Sequence, residues 1–344
     1  MSQEINGSKF KNHIFETDLK SIIQRCEKVF DVLKGQEILI TGATGFVGTW
    51  LTHTFLMANK ELGCKIEIDV VYRDGKKLNE IYGANLNNIR NRFKIDLSLQ
   101  PSCFPAETNS YSLFIHAAAN TNYQLNQGKS TSTENLLKLA QKQKRLPIFI
   151  YLSSGAVYGD LNVIKFPETA LSSLPKVENN YKNYALEKYL SEKFIEDATL
   201  KGEIYGSCPR LFTFYGPFFP LKNQYAVSSF LIDGLNTKRI KLKGNPETTR
   251  SYLYPTDLVT AILKMILNPK MSPTHIGSDK AIKMIELASL IDQITGNSGI
   301  QIDPNGQSAS HYVPEIFNSE SQLGLLQTIE IEDGLERWIN WISD

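Results

Sequence analysis

Apolar residues recur in two rhythms along this chain. Between residues 14 and 34, Leu19, Ile22, Ile23, Cys26, Phe30 and Leu33 fall at helical spacing and predict a packing helix before the first strand. The short runs "EILI" (37–40), "IEIDVVY" (66–72), "SLFIHAAA" (112–119), "PIFIYLSS" (147–154) and "YGSCPRLF" (205–212) read as buried strands. Between them, "TWLTHTFLMA", "TENLLKLAQKQ" and residues 184–196 read as helices. Strand and helix thus alternate for about 200 residues, which predicts an α/β fold: a doubly wound parallel sheet with helices on both faces. The last third differs. Turn formers cluster in "YGPFFPLKNQ" (215–224) and "KGNPETT" (243–249), and helices are expected at 226–236, 256–267 and 283–295. The expected organisation is an N-terminal helical extension (1–34), a dinucleotide-binding domain (35–212) and a smaller, mainly substrate-binding domain (213–344), with some interleaving.

Composition narrows the class. The chain has 344 residues, 42% hydrophobic and 21% charged, with a net charge of +1. No global field argues for nucleic acid or a membrane surface, and no apolar run is long enough for a span. The polar start "MSQEINGSKFKNH" has no signal core. Cys26, Cys64, Cys103 and Cys208 lie far apart without a CxxC, which suits reduced thiols in a cytoplasmic protein. The five histidines show no metal-ligand spacing, so no metal is expected.

Thr41-Gly42-Ala43-Thr44-Gly45-Phe46-Val47-Gly48 follows a strand and opens a helix. Gly42 permits a tight turn, Gly45 lets backbone N–H groups approach a pyrophosphate, and Gly48 permits close helix–sheet packing. These positions, with Thr44, Phe46 and Val47, form the candidate dinucleotide cradle. An acid at the end of the second strand would bond the ribose 2′-OH of NAD, whereas an arginine there suits the 2′-phosphate of NADP. Asp69 lies at about the expected separation, but "VVY" carries the strand beyond it and Arg73 stands at its end. Arg73 and NADP are preferred here, with NAD as the alternative.

The stretch "YALEKYLSEK" (184–193) holds two overlapping Tyr-x-x-x-Lys pairs, Tyr184/Lys188 and Tyr189/Lys193. On a helix the two pairs point about 140° apart, so at most one can face a site. A phenol has a pKa of about 10, and lowering it to about 7 takes roughly 4 kcal/mol. A cation about 4–5 Å away supplies roughly 3–4 kcal/mol at an effective dielectric near 20.

The GxxGxxG spacing, the YxxxK pair and "YLSSGAVYGD" (151–160) together resemble the extended short-chain dehydrogenase/reductases, the branch of nucleotide-sugar epimerases, dehydratases and reductases. The resemblance covers about 37–340. It implies that Tyr184 and Lys188 are the catalytic pair, in a pattern in which an acid, here Glu192, often follows four residues on. It leaves Lys193 solvated and Tyr189 packed. Ser154, four before the Tyr of "VYG", is implied as the catalytic hydroxyl, and Lys188 also as a ribose ligand. Asp96, with Leu97, is implied against adenine, and Ala117 and Ala118 against the cofactor. "CPRLFTFYGP" (208–217) and "TRSYLYPTDL" (249–258) resemble the family's substrate segments and imply Thr213 and Arg250 as substrate ligands. An arginine fork suits diphosphate oxygens. Asp257 is expected to cap the following helix.

Departures from the family pattern narrow the reaction. The 4,6-dehydratases follow the catalytic Thr with an Asp-Glu pair, and related decarboxylases keep the Glu. Here these positions are Gly155 and Ala156, which transfer no protons. What remains is hydride chemistry on a nucleotide-diphosphate sugar. The leading expectation is an NADPH-dependent reductase of a 4-keto-6-deoxy sugar. A 4-epimerase with tightly bound NAD is the alternative, and a non-catalytic NADP-binding sensor or scaffold a further one. A homodimer is expected by analogy with the family.

Overall fold

The computed structural model describes residues 13–95, 104, 110–119, 131–159, 163–168, 182–222, 224–236, 238–296, 298–303, 308–324 and 327–343. The periodic segment at the N-terminus is two helices, α1 (His13–Arg25) and α2 (Glu27–Leu33), with the break at Cys26. Then β1 (Glu37–Thr41), α3 (Phe46–Leu62), β2 (Glu67–Tyr72), α4 (Gly75–Tyr82), β3 (Asn91–Lys94), β4 (Tyr111–His116), α5 (Thr131–Ala140) and β5 (Ile148–Tyr151) follow in alternation. The two-residue β6 (Ser153–Ser154) leads into a 3₁₀ turn (Gly155–Tyr158), and α6 (Lys182–Leu200) returns to β7 (Tyr205–Ser207).

The expected strand 205–212 is two strands. Proline at 209 has no N–H for a ladder, and β8 (Arg210–Leu211) leaves the main sheet for a second one. Next come α7 (Ala226–Leu235), β9 (Ile240–Lys243), β10 (Thr249–Arg250), α8 (Pro255–Lys264), β11 (His275–Ile276), β12 (Ile282–Lys283) and α9 (Met284–Thr295). The chain ends with β13 (Ile300–Asp303), β14 (His311–Tyr312), α10 (Phe317–Leu323) and α11 (Ile331–Ser343).

The main sheet has the order β3-β2-β1-β4-β5-β7, and every pairing in it is parallel. Successive residues of a strand face opposite sides. Ile38 and Ile40 therefore join one core with α3 and α8, while Leu39 joins another with α5 and α6 residues such as Leu136 and Ile195. The order reverses between β1 and β4, and in such sheets the crevice at the strands' carboxyl ends is where ligands bind. The strands β11-β8-β6 and β12-β10-β14 form two small sheets that carry residues from distant parts of the chain toward that crevice.

The first helix packs as expected. Phe15 meets Trp50 edge-on at 4.8 Å, and the buried Asp18 carboxylate accepts hydrogen bonds from Tyr254 (2.8 Å) and Arg337 (2.6 Å). Asp257 caps nothing in its own helix, contrary to expectation. Fully buried in the first turn of α8, it accepts from Arg25 of α1 (2.7 Å) and from the hydroxyl and N–H of Thr328 (2.7 and 2.9 Å). It ties the two ends of the chain together.

Candidate active site

Gly42 adopts φ +71°, and a Cβ there would stand 2.7 Å from the backbone of Ala117 and Ala118. The loop and the end of β4 thus pack with no side chain between them, held also by Ala118 N–H donating to the Thr41 hydroxyl at 3.2 Å. Gly45 is the N-cap of the 17-residue α3, with no side-chain cap. The first N–H groups of that helix are orphan donors with a partial positive charge, the requirement for a pyrophosphate. A Cβ on Gly48 would overlap the Gly42 carbonyl. The cradle fits a dinucleotide because all three positions lack side chains. Phe46 turns away from it and stacks on Phe214 at 5.0 Å, and Val47 is buried, so both would serve through backbone N–H. Thr44 lies half-buried in the loop.

At the end of β2, Asp69 is fully buried within the strand. Its oxygens accept from Arg90 (2.8 and 2.7 Å), from the N–H and side chain of Asn91 (3.1 and 3.2 Å), and from Tyr111 (2.5 Å). No oxygen of Asp69 is left for a ribose. Arg73 lies exposed just past the strand. The neighbouring acid Asp74 caps α4, accepting from the N–H groups of Lys76 (2.9 Å) and Lys77 (3.2 Å). Asp96 and Leu97 lie outside the described residues.

Beyond β4 and β5, Ser154, Tyr184 and Lys188 come together. Ser154 ends β6, and its hydroxyl accepts from Ala156 N–H at 3.2 Å. The Ser154 side chain also acts on the Tyr184 phenol, lowering its pKa against burial. Lys188 lies one helical turn on, 3% exposed, donating to Leu152 O at 2.7 Å. Its ammonium stands 4.5 Å from the Tyr151 ring centre and 5.6 Å from that of Tyr184. Burial lowers the Lys188 pKa to about 8 and pushes the Tyr184 phenol above its ordinary range, the Ser154 side chain opposing. Burial is the largest influence on the phenol in this geometry. The other overlapping pair is apart from the site, with exposed Lys193 bonded to Glu196 at 2.7 Å.

Behind Ser154 stand Arg210, Ser153 and Tyr158, which apolar periodicity and motif spacing did not single out, gathered around Glu192. Glu192 and Arg210 form a buried bidentate pair (3.1 and 2.8 Å). Ser153 donates to the same carboxylate at 2.5 Å, and Arg210 reaches the Tyr158 hydroxyl at 2.7 Å. This network fixes both sides of the strand end that presents Ser154. On the substrate side, Thr213 is half-buried and accepts Leu253 N–H on its carbonyl at 3.1 Å. The Arg250 guanidinium donates to Thr249 O, Ser310 O and the Ser310 hydroxyl (2.8, 3.1 and 3.1 Å), none of them a carboxylate. Burial lowers its pKa, and an anion would relieve that cost.

A parallel sheet with a side-chain-free glycine turn at its switch point, and a Ser-Tyr-Lys set beyond it, defines a dinucleotide-dependent enzyme of the extended short-chain dehydrogenase/reductase type. The chain belongs to the NAD dependent epimerase/dehydratase family, whose profile matches residues 38–277. It is 24% identical over 316 residues to UDP-glucuronic acid decarboxylase 1 of Xenopus tropicalis, covering 89% of this chain and 72% of that protein. It is 26% identical over 328 residues to a putative UDP-glucose 4-epimerase of Methanocaldococcus jannaschii, covering 89% and 98%. The fold is similar to that of UDP-glucose 4-epimerase from Thermotoga maritima, with a TM-score of 0.73 at 20% identity over 90% of this chain and 99% of that one. UDP-glucuronic acid 4-epimerase from Bacillus cereus, solved with NAD, gives a TM-score of 0.72 at 21% identity over 90% and 96%. Among the described residues no helix is long and apolar enough to cross a membrane.

Proposed function

We propose that the protein is an NADPH-dependent reductase of a nucleotide-linked 4-keto-6-deoxy sugar. The observation that supports this reading is the Ser154, Tyr184 and Lys188 set, with the Lys188 ammonium 5.6 Å from the Tyr184 ring centre and with Ser154 followed by Gly155 and Ala156, which carry no acid. A reductase needs that phenol as an acid at rest, whereas oxidation of a sugar alcohol needs it as a base. Bound NADPH would supply the hydride to the sugar carbon. Tyr184 would give its proton to the carbonyl oxygen, and the Ser154 hydroxyl would hold that oxygen in place. The Lys188 ammonium, 5.6 Å from the ring centre, would then stabilise the phenolate by about 3 kcal/mol at an effective dielectric near 20. Lys188 would also bond the nicotinamide ribose.

Gly155 and Ala156 provide no acid for dehydration or decarboxylation. The commitment of Asp69 and Asp74 leaves Arg73 as the polar group at the end of β2, in favour of NADP. Arg250, with Thr213, would take the nucleotide diphosphate. Residues 35–212 would form the dinucleotide-binding domain and 213–344 mainly the substrate domain, in a cytoplasmic homodimer. A second reading, a nucleotide-sugar 4-epimerase with retained NAD, is favoured by the relatives named as UDP-sugar 4-epimerases. Cofactor extracted from the purified protein separates the two. The reductase predicts exchangeable NADP(H) and turnover only with added NADPH. Stoichiometric NAD, with turnover needing none added, would overturn it.

A further inference from the structure

Two neighbouring phenylalanines leave one loop in different directions. Phe218 carries a side chain yet sits at φ +69°. That left-handed region costs such a residue free energy, and it persists only where the surroundings hold it. The Phe218 ring stacks on His53 of α3 at 5.9 Å, meets Phe15 of α1 edge-on at 5.2 Å, and tilts against Trp341 of α11 at 5.0 Å. The carbonyl just before it, of Pro217, accepts the Trp50 indole N–H at 2.9 Å. The first helix thus reaches the loop as well as α3, because Phe15, 4% exposed, touches Trp50, His53 and Phe218 alike.

Phe219 goes the other way. Its ring meets Phe46 edge-on at 5.3 Å, and Phe46 also stacks on Phe214 with the planes 3° apart. Phe46 is the first residue of α3, so its backbone N–H belongs to the dinucleotide cradle. Phe214 follows Thr213 and bridges to Leu253, whose N–H donates to Thr213 O at 3.1 Å. Leu253 stands three residues beyond Arg250. The loop from Phe214 to Phe219 therefore joins the cradle to the segment that carries Thr213 and Arg250. The left-handed turn at Phe218 sends the two rings apart, so what holds Phe218 also sets Phe219 and Phe214 against Phe46.

We propose that α1 belongs to the active-site machinery: Phe15 and Phe218 are positioning residues that hold the 214–219 loop, and with it Thr213 and Arg250, in place against the dinucleotide cradle. This rests on the nucleotide-sugar reading above, in which Thr213 and Arg250 take the diphosphate. Without Phe15 a strained residue loses one of the rings that hold it. The loop relaxes, and the nucleotide loses partners set in advance. The cofactor keeps its glycine turn.

The test uses the full chain, with Ile22→Ala as the control. Ile22 is also on α1 and fully buried, about 10 Å along the helix from Phe15. Both Phe15→Ala and Ile22→Ala lose core packing, and both should unfold at lower urea. Only Phe15→Ala is expected to speed hydrogen exchange of the Phe219 amide, which donates to Gly216 O at 2.9 Å, by at least about tenfold. In isothermal titration, it alone of the two should weaken whichever of UDP and dTDP the parent binds by at least about fivefold, with NADPH within about twofold. Phe218→Gly accepts the same φ without strain but has no ring, and should match Phe15→Ala in both readouts. A Phe219 amide as protected in Phe218→Gly as in the parent would show that the turn holds itself, and overturns the proposal. So does an exchange rate or nucleotide affinity that Phe15→Ala and Ile22→Ala change alike. If the parent binds neither nucleotide but the exchange pattern is present, the nucleotide-sugar reading fails and the support of the loop stands.

Discussion

Replacing Arg73 with alanine should weaken NADPH selectively. Arg73 lies exposed one residue beyond β2, and Lys77 follows it on α4. Burial lowers the Lys77 pKa most, Lys222 lowers it further, and Arg73 adds to the effect, against Asp74 and Glu80. Three cations thus act on one region, and a dianionic 2′-phosphate would relieve their repulsion. A charge-assisted hydrogen bond contributes about 1.5–3 kcal/mol, or roughly 10- to 150-fold in Kd. Solvent exposure favours the lower part of that range. Isothermal titration should therefore show NADPH binding weakened roughly 10- to 30-fold in Arg73→Ala, with NADH within about twofold of the parent. The NADPH loss should shrink at high salt. Equal weakening of both cofactors, or a parent that binds NADH more tightly than NADPH, would refute the assignment.

Other consequences follow from the same geometry. Glu192→Ala leaves the Arg210 guanidinium, 5% exposed, without its carboxylate. It should cost about 3–5 kcal/mol in urea unfolding, and a loss under about 1 kcal/mol would contradict the network's role. Gly48→Ala drives a Cβ into the Gly42 carbonyl, backbone against backbone. Dinucleotide affinity should fall at least about tenfold with about 1–3 kcal/mol of stability, and unchanged titrations would contradict the cradle. Burial depresses His53 to a pKa of about 4 and His116 and His275 to about 3, so unfolding takes up their protons below pH 6.5. Asp18, raised to about 6, and Glu168, also raised, hold extra protons in the folded state and act with the opposite sign. Three histidines outweigh two carboxyls by about one to two protons, so stability should fall with decreasing pH by roughly 1.5–2.5 kcal/mol per unit near pH 5. A flat unfolding free energy between pH 6.5 and 4.5 would count against three neutral buried imidazoles.

What could be read from the sequence was what local spacing determines. The loop from Gly42 to Gly48 and the pair Tyr184/Lys188 sit within one turn or one helix, so their geometry follows from their separation. The break at Cys26 and the sheet change after Ser207 were not legible as apolar periodicity, because both segments keep their pattern through the interruption. Asp257 was misread because its partner Arg25 is 232 residues away. Asp69 lay at a plausible spacing, but Arg90 and Tyr111, supplied by later parts of the fold, take its oxygens. Tyr312 gave no signal either. The place of its hydroxyl beside Gly155 depends on β14 pairing with β10, a contact between short segments 62 residues apart. The one clue was Gly155, a residue without a side chain where proton-transferring relatives carry one.

Tyr184 is proposed to protonate a sugar carbonyl while a nicotinamide reduces it. Consumption of NADPH, followed by its absorbance with dTDP- and UDP-linked 4-keto-6-deoxyglucose, tests this most directly when the parent and Tyr184→Phe are run side by side. Oxidation of NADPH is expected to require the sugar and to fall at least about a hundredfold in the variant. Oxidation that continues undiminished in Tyr184→Phe, or absorbance that stays constant with both sugars in the parent, would contradict it.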